Sequence, residues 1–346
     1  MKPAATSAWA LAPTLRKAKA SRFPTPLPWH LRWLAWALAT LVPSLFYIGP
    51  AMLLLPPFVF LASPRAAIAL LAADVVLATW PLREWPWFRG VFQLWYELFD
   101  VEHNLATEGA APLELLPGHA GRTILAMHPH GIIPMQGFLW PALCDQYLGS
   151  RPGSPIKPLY GFGATTDVAL RVPLLRQLLG WVTAGSAARA VLQRGLREKN
   201  LFILPGGVAE VFTAKPRTHV IIARRRGLMR LALRTGASLT PVYMFGGTDC
   251  FEQLATSGGG VFGRLSHLMR GGFTMFWGRF GLPLPCIPLP AKMSMVMADP
   301  VPVERVAEPT DEECDALMER YADTLHRLFE QYKAQAGYPD AQLEIR

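Results

Sequence analysis

The feature that most limits the fold of this chain is a run of apolar residues, 33–62, that contains no charged side chain. The run is longer than the roughly 20 residues that a helix needs to cross a bilayer. After Arg65, a second apolar run, residues 66–82, carries only Asp74. We therefore predict an N-terminal two-helix membrane hairpin over residues 33–82.

Basic and aromatic residues flank this hairpin as they do in membrane proteins. Lys and Arg precede the first run and follow the second, whereas the turn near residues 63–65 holds one Arg. The positive-inside rule then predicts that both ends face the cytosol, and Trp residues on both sides fit interfacial belts. The flanking residues are Arg16, Lys17, Lys19, Arg22, Arg32, Arg83 and Arg89, with Trp29, Trp33, Trp36, Trp80, Trp85 and Trp87.

Two other arrangements of the apolar runs stay open. Pro43, Pro50, Pro56 and Pro57 favour a broken first helix, so a re-entrant wedge in one leaflet is an alternative to a transmembrane hairpin. A helical hairpin buried in a soluble domain is the second alternative, although an uncharged run of this length is rare in soluble cores.

Composition indicates which partners suit the chain. Charged residues make up only 17% of it, against about 25% in soluble domains, and the net charge is +9. A basic, apolar chain favours an anionic membrane surface or an acidic ligand over nucleic acid. The four scattered cysteines suit a reducing compartment. The basic, Pro- and Ala-rich residues 1–32 are expected to be a flexible segment.

Residues 83–346 are predicted to form an α/β domain. Strand-like runs alternate with helical ones, which predicts a largely parallel sheet with a site at the carboxyl ends of its strands. Thr310 and Glu313 form a capping box that opens a final helix with an apolar face. The predicted strands are 123–127, 201–204 and 239–245, and the predicted helices between them include 187–199 and 227–235.

The first candidate for chemistry is the tetrad His128-Pro129-His130-Gly131, directly after a predicted strand. Histidines at such a position can act as general bases near neutral pH, and Gly131 lets a ligand approach. They can equally be hydrogen-bonded structural residues. Metal binding is the third interpretation, but zinc needs further ligands and the other six histidines lack ligand spacing, so no metal is predicted.

The second candidate is the loop Pro205-Gly206-Gly207-x-x-Glu210, after another predicted strand. Its amides can face an oxyanion or a phosphate, and Glu210 can orient a histidine from a neighbouring strand. An ordinary glycine turn is the alternative.

The third candidate is a basic helix face formed by Arg226, Arg230 and Arg234, which are spaced four residues apart. Such a face suits the phosphates of coenzyme A or anionic lipid headgroups. A solvated charged face is the alternative, and Lys215 and Arg217 extend the same basic region.

Taken together, these features resemble the type-2 diacylglycerol acyltransferase family, with its monoacylglycerol and wax-ester relatives. The tetrad, the glycine loop and the arginine helix that leads to Pro241-Val242-Tyr243-x-Phe245-Gly246 occur in the family's order and spacing. The resemblance implies acyl transfer from acyl-CoA to diacylglycerol, in the endoplasmic reticulum membrane and on lipid droplets. It implies no cofactor besides acyl-CoA as co-substrate. It implies membrane lipids as partners, no nucleic acid, and is compatible with a homo-oligomer.

The chain departs in two places from the family that it resembles and in two from the wider superfamily. Residues 96–100 lack a Tyr-Phe-Pro found in many relatives, and residues 108–121 form a longer segment. The wider glycerolipid acyltransferase superfamily has His-x4-Asp, which is absent here, so Glu210 becomes the expected partner of the base. The loop at Pro205 also lacks the superfamily's arginine, which predicts a neutral acceptor rather than a phosphorylated one.

The resemblance gives each candidate an expected role. His130, rather than His128, is expected to be the base, with Gly131 opening space beside it. Gly206 and Gly207 are expected to bind the oxyanion, Glu210 to orient the imidazole, and the basic face to hold the CoA phosphates. Monoacylglycerol or a long-chain alcohol is the alternative acceptor, and a non-catalytic lipid-droplet or membrane scaffold is the alternative from another class.

Overall fold

An eight-stranded mixed sheet lies at the centre of the computed structural model, which describes residues 11–105, 122–144, 146, 162–254 and 274–346. The last five strands in spatial order run parallel to one another, as the alternation of strands and helices predicts. In spatial order the strands are β1 (Leu11–Lys17), β2 (Glu102–Leu105), β11 (Ser294–Met297), β8 (Ser238–Phe245), β3 (Thr123–His128), β6 (Leu201–Ile203), β4 (Phe162–Thr165) and β5 (Ala184–Ser186).

The two faces of the sheet bury different cores, because alternate side chains of a strand point to opposite faces. Leu125 and Met127 of β3 pack on one side with α1 (Trp29–Ala62) and the helices near it. Ile124 and Ala126 pack on the other side with α9 (Arg226–Thr235) and α10 (Asp311–Tyr332). The remaining helices are α2 (Pro64–Thr79), α3 (Pro86–Val91), α4 (Trp95–Leu98), α5 (Met135–Leu143), α6 (Leu175–Trp181), α7 (Arg189–Gly195) and α8 (Gly207–Val211).

Helix α10 is capped as predicted. The Thr310 hydroxyl accepts the backbone N–H of Glu313, and the Glu313 carboxylate accepts that of Thr310. The apolar face is buried against the sheet, with Leu317, Tyr321 and Leu325 each no more than 1% exposed. This packing carries one tyrosine hydroxyl into the interior, where it needs a polar partner.

Two short sheets lie outside the main one. Strand β9 (Glu252–Gln253) pairs with β10 (Phe276–Trp277) antiparallel. Strand β12 (Glu344–Ile345) pairs with β7 (Val220–Ile221) in parallel, so the end of the chain lies beside the segment that follows α8.

Helix α1 is long and apolar enough to cross a membrane, with only 17% of its most apolar window buried. Its first half packs on the α/β body through Ala35, Ala39 and Val42. Its second half exposes large apolar side chains such as Leu61, which is 84% exposed. The alternative of a hairpin buried in a soluble domain is therefore wrong for this half of the helix. Despite four internal prolines, the helix runs unbroken from Trp29 to Ala62.

Helix α2 follows α1 after a single non-helical residue, Ser63, whose hydroxyl accepts the N–H of Ala66. The two helices pack against each other. With 16 residues, α2 is shorter than the roughly 20 that span a bilayer.

The N-terminal segment corrects one prediction. Residues 1–32 were expected to be flexible, but Leu11–Lys17 form the edge strand β1, which pairs antiparallel with β2. Lys17 also forms an ion pair with Asp100 at 2.8 Å. The Pro- and Ala-rich composition concealed this strand because its partner lies about ninety residues away in the sequence.

Candidate active site

His128 ends strand β3, and its ring is fully buried on the side of the sheet that α10 covers. Its Nε2 lies 2.7 Å from the hydroxyl of Tyr321, and its Nδ1 lies 3.9 Å from Oε1 of Glu210. A tyrosine hydroxyl that donates to Nε2 leaves the proton on Nδ1, facing the carboxylate. Both ring nitrogens are thus turned towards protein groups, as in a structural histidine.

His130, two residues on, is partly exposed. Its Nδ1 lies 2.8 Å from the carbonyl oxygen of Gly131, which can only accept, so Nδ1 carries the proton. Gly131 adopts a φ of +68°, in the left-handed region that glycine favours. No described residue hydrogen-bonds Nε2, which is therefore an available proton acceptor. Burial lowers the pKa of His130 below its usual value of 6.5, which keeps the ring neutral.

The Glu210 carboxylate holds the backbone around the tetrad rather than the ring of His130. Oε2 accepts the backbone N–H of His130, and Oε1 accepts that of Ile222 at 2.6 Å. Burial would raise the pKa of Glu210, but the His128 ring and these two N–H groups outweigh it and the pKa is lowered. The expected contact between Glu210 and the ring of the base is therefore replaced by a contact with its main chain.

The glycine loop fits closely around this carboxylate. A Cβ on Gly206 would lie 1.9 Å from Cδ of Glu210, so no other residue fits without displacing the carboxylate. Gly207, with a φ of +52°, donates its N–H to Leu204 O at 3.1 Å. Of the two amides predicted for an oxyanion, that of Gly207 is therefore already used in the turn.

An arginine from another segment reaches the same loop. Arg225 donates from Nε to Pro205 O at 3.3 Å and from Nη2 to Gly206 O at 3.2 Å. The sequence-based expectation that this loop lacks a cation is therefore wrong. The cation comes from the residue before α9, twenty positions further along the chain.

The basic face of α9 is occupied by carboxylates near the start of α10. Arg226 pairs with Asp315 at 2.7 Å, Arg230 pairs with Asp311, and Arg234 pairs with Glu308 at 2.8 Å. Helix α9 also leads into β8, so Arg234 lies about 12 Å further from the site than Arg226. The predicted role of this face in holding CoA phosphates conflicts with these ion pairs, which already compensate its charges. It also conflicts with the distance between Arg234 and the site.

Main-chain pairing fixes the segment that Glu210 holds. Strand β12 pairs with β7 immediately before Ile222, and Arg346 N–H donates to Ile221 O at 2.9 Å. Arg224 N–H then donates to Arg346 O at 3.0 Å. The chain's last residues therefore position one of the two partners of the Glu210 carboxylate.

Among the described residues, no group of three or more His, Cys, Asp or Glu is placed to hold a metal. His119 and His267, and the segment 108–121, lie outside the described residues.

Two residues of the site, Tyr321 and Arg225, were not among the candidates that the sequence pattern indicated. Tyr321 belongs to the apolar face predicted for the last helix, and a tyrosine on such a face signals a buried hydroxyl that needs a partner. Arg225 lies in the run of three arginines, residues 224–226. It is not four residues from Arg230, so the helical spacing that defined the basic face left it out.

Comparison with known proteins places these features among acyltransferases. Residues 83–346 match the family model described as diacylglycerol acyltransferase. Over 233 residues the chain is 29% identical to diacylglycerol O-acyltransferase 1 of Saccharomyces cerevisiae, covering 64% of this chain and 54% of the relative. Over 222 residues it is 28% identical to diacylglycerol O-acyltransferase 2 of Dictyostelium discoideum, covering 61% and 66%.

A third relative carries a different name. Over 247 residues the chain is 30% identical to 2-acylglycerol O-acyltransferase 1 of Bos taurus, covering 66% of this chain and 69% of the relative. The match spans 54% and 66% of the first two relatives, less than two thirds of their length. Residues 83–346, which the family model matches, contain the tetrad, the glycine loop and the arginine helix.

Proposed function

Because the chain belongs to the diacylglycerol acyltransferase family, we propose that it transfers a fatty acyl group from acyl-CoA to the free hydroxyl of diacylglycerol, forming triacylglycerol. The names of its relatives support the reaction class, and the geometry of His130 supports the chemistry. Acyl-CoA is the co-substrate, and the proposal requires no cofactor or metal.

The state of His130 is the observation that carries this proposal. Its proton is fixed on Nδ1 by Gly131 O, so the lone pair of Nε2 is available at the edge where the parallel strands end. A lowered pKa keeps this nitrogen unprotonated at neutral pH. A general base needs both properties.

In the proposed reaction, Nε2 of His130 removes the proton of the acceptor hydroxyl while its oxygen attacks the thioester carbonyl. The tetrahedral intermediate then expels the CoA thiolate, which recovers the proton from the imidazolium. One C–S bond breaks, one C–O bond forms, and no acyl-enzyme is needed. The N–H of Gly206 is the donor to the oxyanion in this scheme. The other predicted amide, that of Gly207, already donates to Leu204 O in the turn.

Glu210 and Arg225 are positioning residues in this scheme. Glu210 holds the His130 main chain, and Arg225 holds the carbonyls of Pro205 and Gly206. Because α9 is paired with α10, the CoA phosphates need other cations. The exposed side chains of Lys215 and Arg217, in the loop after α8, are the candidates at this edge.

Monoacylglycerol is the second candidate acceptor. The bovine relative is named a 2-acylglycerol acyltransferase and shares as much sequence as the diacylglycerol enzymes. Neither the described residues nor the three relatives named above point to a long-chain alcohol as acceptor. A non-catalytic scaffold would need neither the available Nε2 of His130 nor the buried carboxylate of Glu210 that holds the His130 main chain. These two features therefore favour an enzyme over a scaffold.

Helices α1 and α2 support membrane attachment of this activity. We propose that they form the N-terminal hairpin, with the second half of α1 inserted and α2 returning along it. Basic residues at both outer ends support a cytosolic position of both termini. The proposed sites of residence are the endoplasmic reticulum membrane and lipid droplets. A homo-oligomer is compatible with this arrangement.

The test is to incubate membranes containing the full chain with labelled oleoyl-CoA and a panel of acceptors, and to separate the products by lipid class. We expect label in triacylglycerol from diacylglycerol, and none above background for His130→Ala. Preferential labelling of diacylglycerol from monoacylglycerol would favour the second candidate. Preference for glycerol 3-phosphate or lysophosphatidate would overturn the neutral-acceptor proposal.

A further inference from the structure

An apolar groove of about 1100 Å³ lies between the first five turns of α1 and the segment 279–287. Neither His130 nor Glu210 lines it, so it is separate from the candidate active site. Its walls come from residues three or four apart on one face of α1 and from the facing segment. The main lining side chains are Trp33, Trp36, Leu41, Ile48, Phe280 and Leu284.

Hydrogen bonds hold the facing segment at α1. The backbone N–H of Cys286 donates to the Ser44 hydroxyl at 3.1 Å. The Tyr47 hydroxyl accepts the N–H of Phe276 at 2.7 Å, and the two rings stack with centroids 4.6 Å apart. The groove is therefore formed before any ligand enters, which reduces the entropic cost of binding.

The segment presents apolar side chains outwards, next to the membrane helix. Phe280 is 72% exposed and adopts a φ of +74°, a conformation that is unfavourable for a bulky residue. Trp29 and Trp33, on the same groove, are 75% and 70% exposed. Apolar groups exposed together in this way mark a membrane or ligand contact. The groove reaches Ile48, at the start of the half of α1 that is proposed to be inserted, so a membrane lipid can enter it from the bilayer.

Two guanidinium groups line the apolar groove. Arg32 is paired with Glu97 at 2.9 Å. Arg279 lies 5.5 Å from the centre of the Phe280 ring, and no described carboxylate is within ion-pairing distance. The groove thus offers an apolar channel with an uncompensated positive charge, the complement of an acyl chain joined to an anionic headgroup.

We propose that this groove binds an anionic glycerophospholipid from the membrane, with an acyl chain along α1 and its phosphate at Arg279. A free phosphate would leave the apolar walls uncovered. A neutral lipid would form no ion pair with the exposed guanidinium of Arg279. The occupant is a bound lipid rather than a substrate, so this site is independent of the proposed acyl transfer.

Native mass spectrometry of the purified full chain in detergent tests the proposal. The protein is titrated with phosphatidate or with phosphatidylcholine of the same acyl chains. We expect phosphatidate to bind more tightly, and Arg279→Gln to weaken its binding about five- to tenfold. Binding of phosphatidylcholine, whose single phosphate charge is balanced by choline, should weaken less. Arg320→Gln removes the same charge from an exposed position on α10 and should have no effect. Equal losses for the two variants would overturn the site, because net charge alone would then explain them.

Two further variants test the channel without changing the charge. Ala37 is exposed and lines the groove, so Ala37→Phe fills it, and Thr40→Leu does so from the next turn. Both variants should reduce binding of phosphatidate and phosphatidylcholine, with melting temperatures near that of the wild type. Undiminished lipid binding by these folded variants would place the lipid elsewhere and overturn the proposal.

Discussion

The hydroxyl of Tyr321 lies 2.7 Å from Nε2 of His128, and this contact separates the roles of the two histidines in the tetrad. His128 is enclosed by protein groups, whereas His130 keeps Nε2 available. Two residues that look alike in the sequence therefore differ in what they can do to a substrate.

His130→Ala should lower kcat by about 10²- to 10⁴-fold, the usual contribution of a general base. The side chain is partly exposed, so the melting temperature should change little. Acyl transfer and thermal unfolding are measured on the same preparation. Near-normal turnover in this variant would remove His130 from the role of base.

Tyr321→Phe should lower both stability and kcat. The variant leaves Nε2 of His128 buried without a partner, which costs about 1–3 kcal/mol, and it loosens the main chain that leads to His130. Tyr332→Phe is the matched control, because that hydroxyl donates to Ala12 O at 2.7 Å on the same helix but away from the site. The control should lose stability and keep its kcat; equal losses of kcat in both variants would contradict this role.

Glu210→Gln should lower the free energy of unfolding by an amount that depends on pH. A lowered native pKa means that the carboxylate stabilises the fold above its unfolded value of 4.5, and that this contribution is lost as pH falls through the native pKa. The difference between wild type and variant should therefore be largest above pH 4.5 and shrink below it. Denaturant unfolding at several pH values measures it, with the exposed Glu319→Gln as control. A pH-independent difference would rule out the charge of Glu210 as its source.

The pH profile of kcat/KM should have its acid limb below pH 6.5. The neutral imidazole of His130 is the active form, and burial lowers its pKa, so activity persists to a lower pH than an ordinary histidine allows. Initial rates at subsaturating acyl-CoA and acceptor, measured over a range of pH, provide the profile. A midpoint at or above 6.5 would show that another group controls the limb.

Arg225→Ala should reduce kcat, because its guanidinium holds the carbonyls of Pro205 and Gly206. Arg226→Ala, the neighbouring substitution, should leave KM for acyl-CoA unchanged, because that side chain is paired with Asp315. Steady-state kinetics with varied acyl-CoA compares the two. A large rise in KM for Arg226→Ala alone would restore the basic face as the CoA site.

Local sequence patterns predicted the elements around the site well. Strand β3, helix α9 and the capping box of α10 lie within one or two residues of their predicted positions, because each depends on neighbours in the sequence. The same patterns placed the tetrad and the glycine loop at adjacent strand ends.

Contacts between distant residues could not be predicted from such patterns. Arg226 and Asp315 are 89 positions apart, so the sequence shows a basic face without the carboxylates that neutralise it. Glu210 was expected to contact the imidazole of the base, because carboxylates often orient histidines. Its nearest donors are instead the main-chain N–H groups of His130 and Ile222. Every residue except proline has such a group, so the residue types give no sign of this contact.

The pairing of β12 with β7 has a consequence for how the protein becomes active. The segment that supplies an N–H to Glu210 is completed by residues more than a hundred positions later, and such non-local contacts form late in folding. A nascent chain emerging from the ribosome can thus pair β3 with β6 before β12 pairs with β7 and fixes the segment that donates to Glu210. We expect chains released before Leu343 to fold their central sheet and to remain inactive, which radiolabelled translation products of graded length would show.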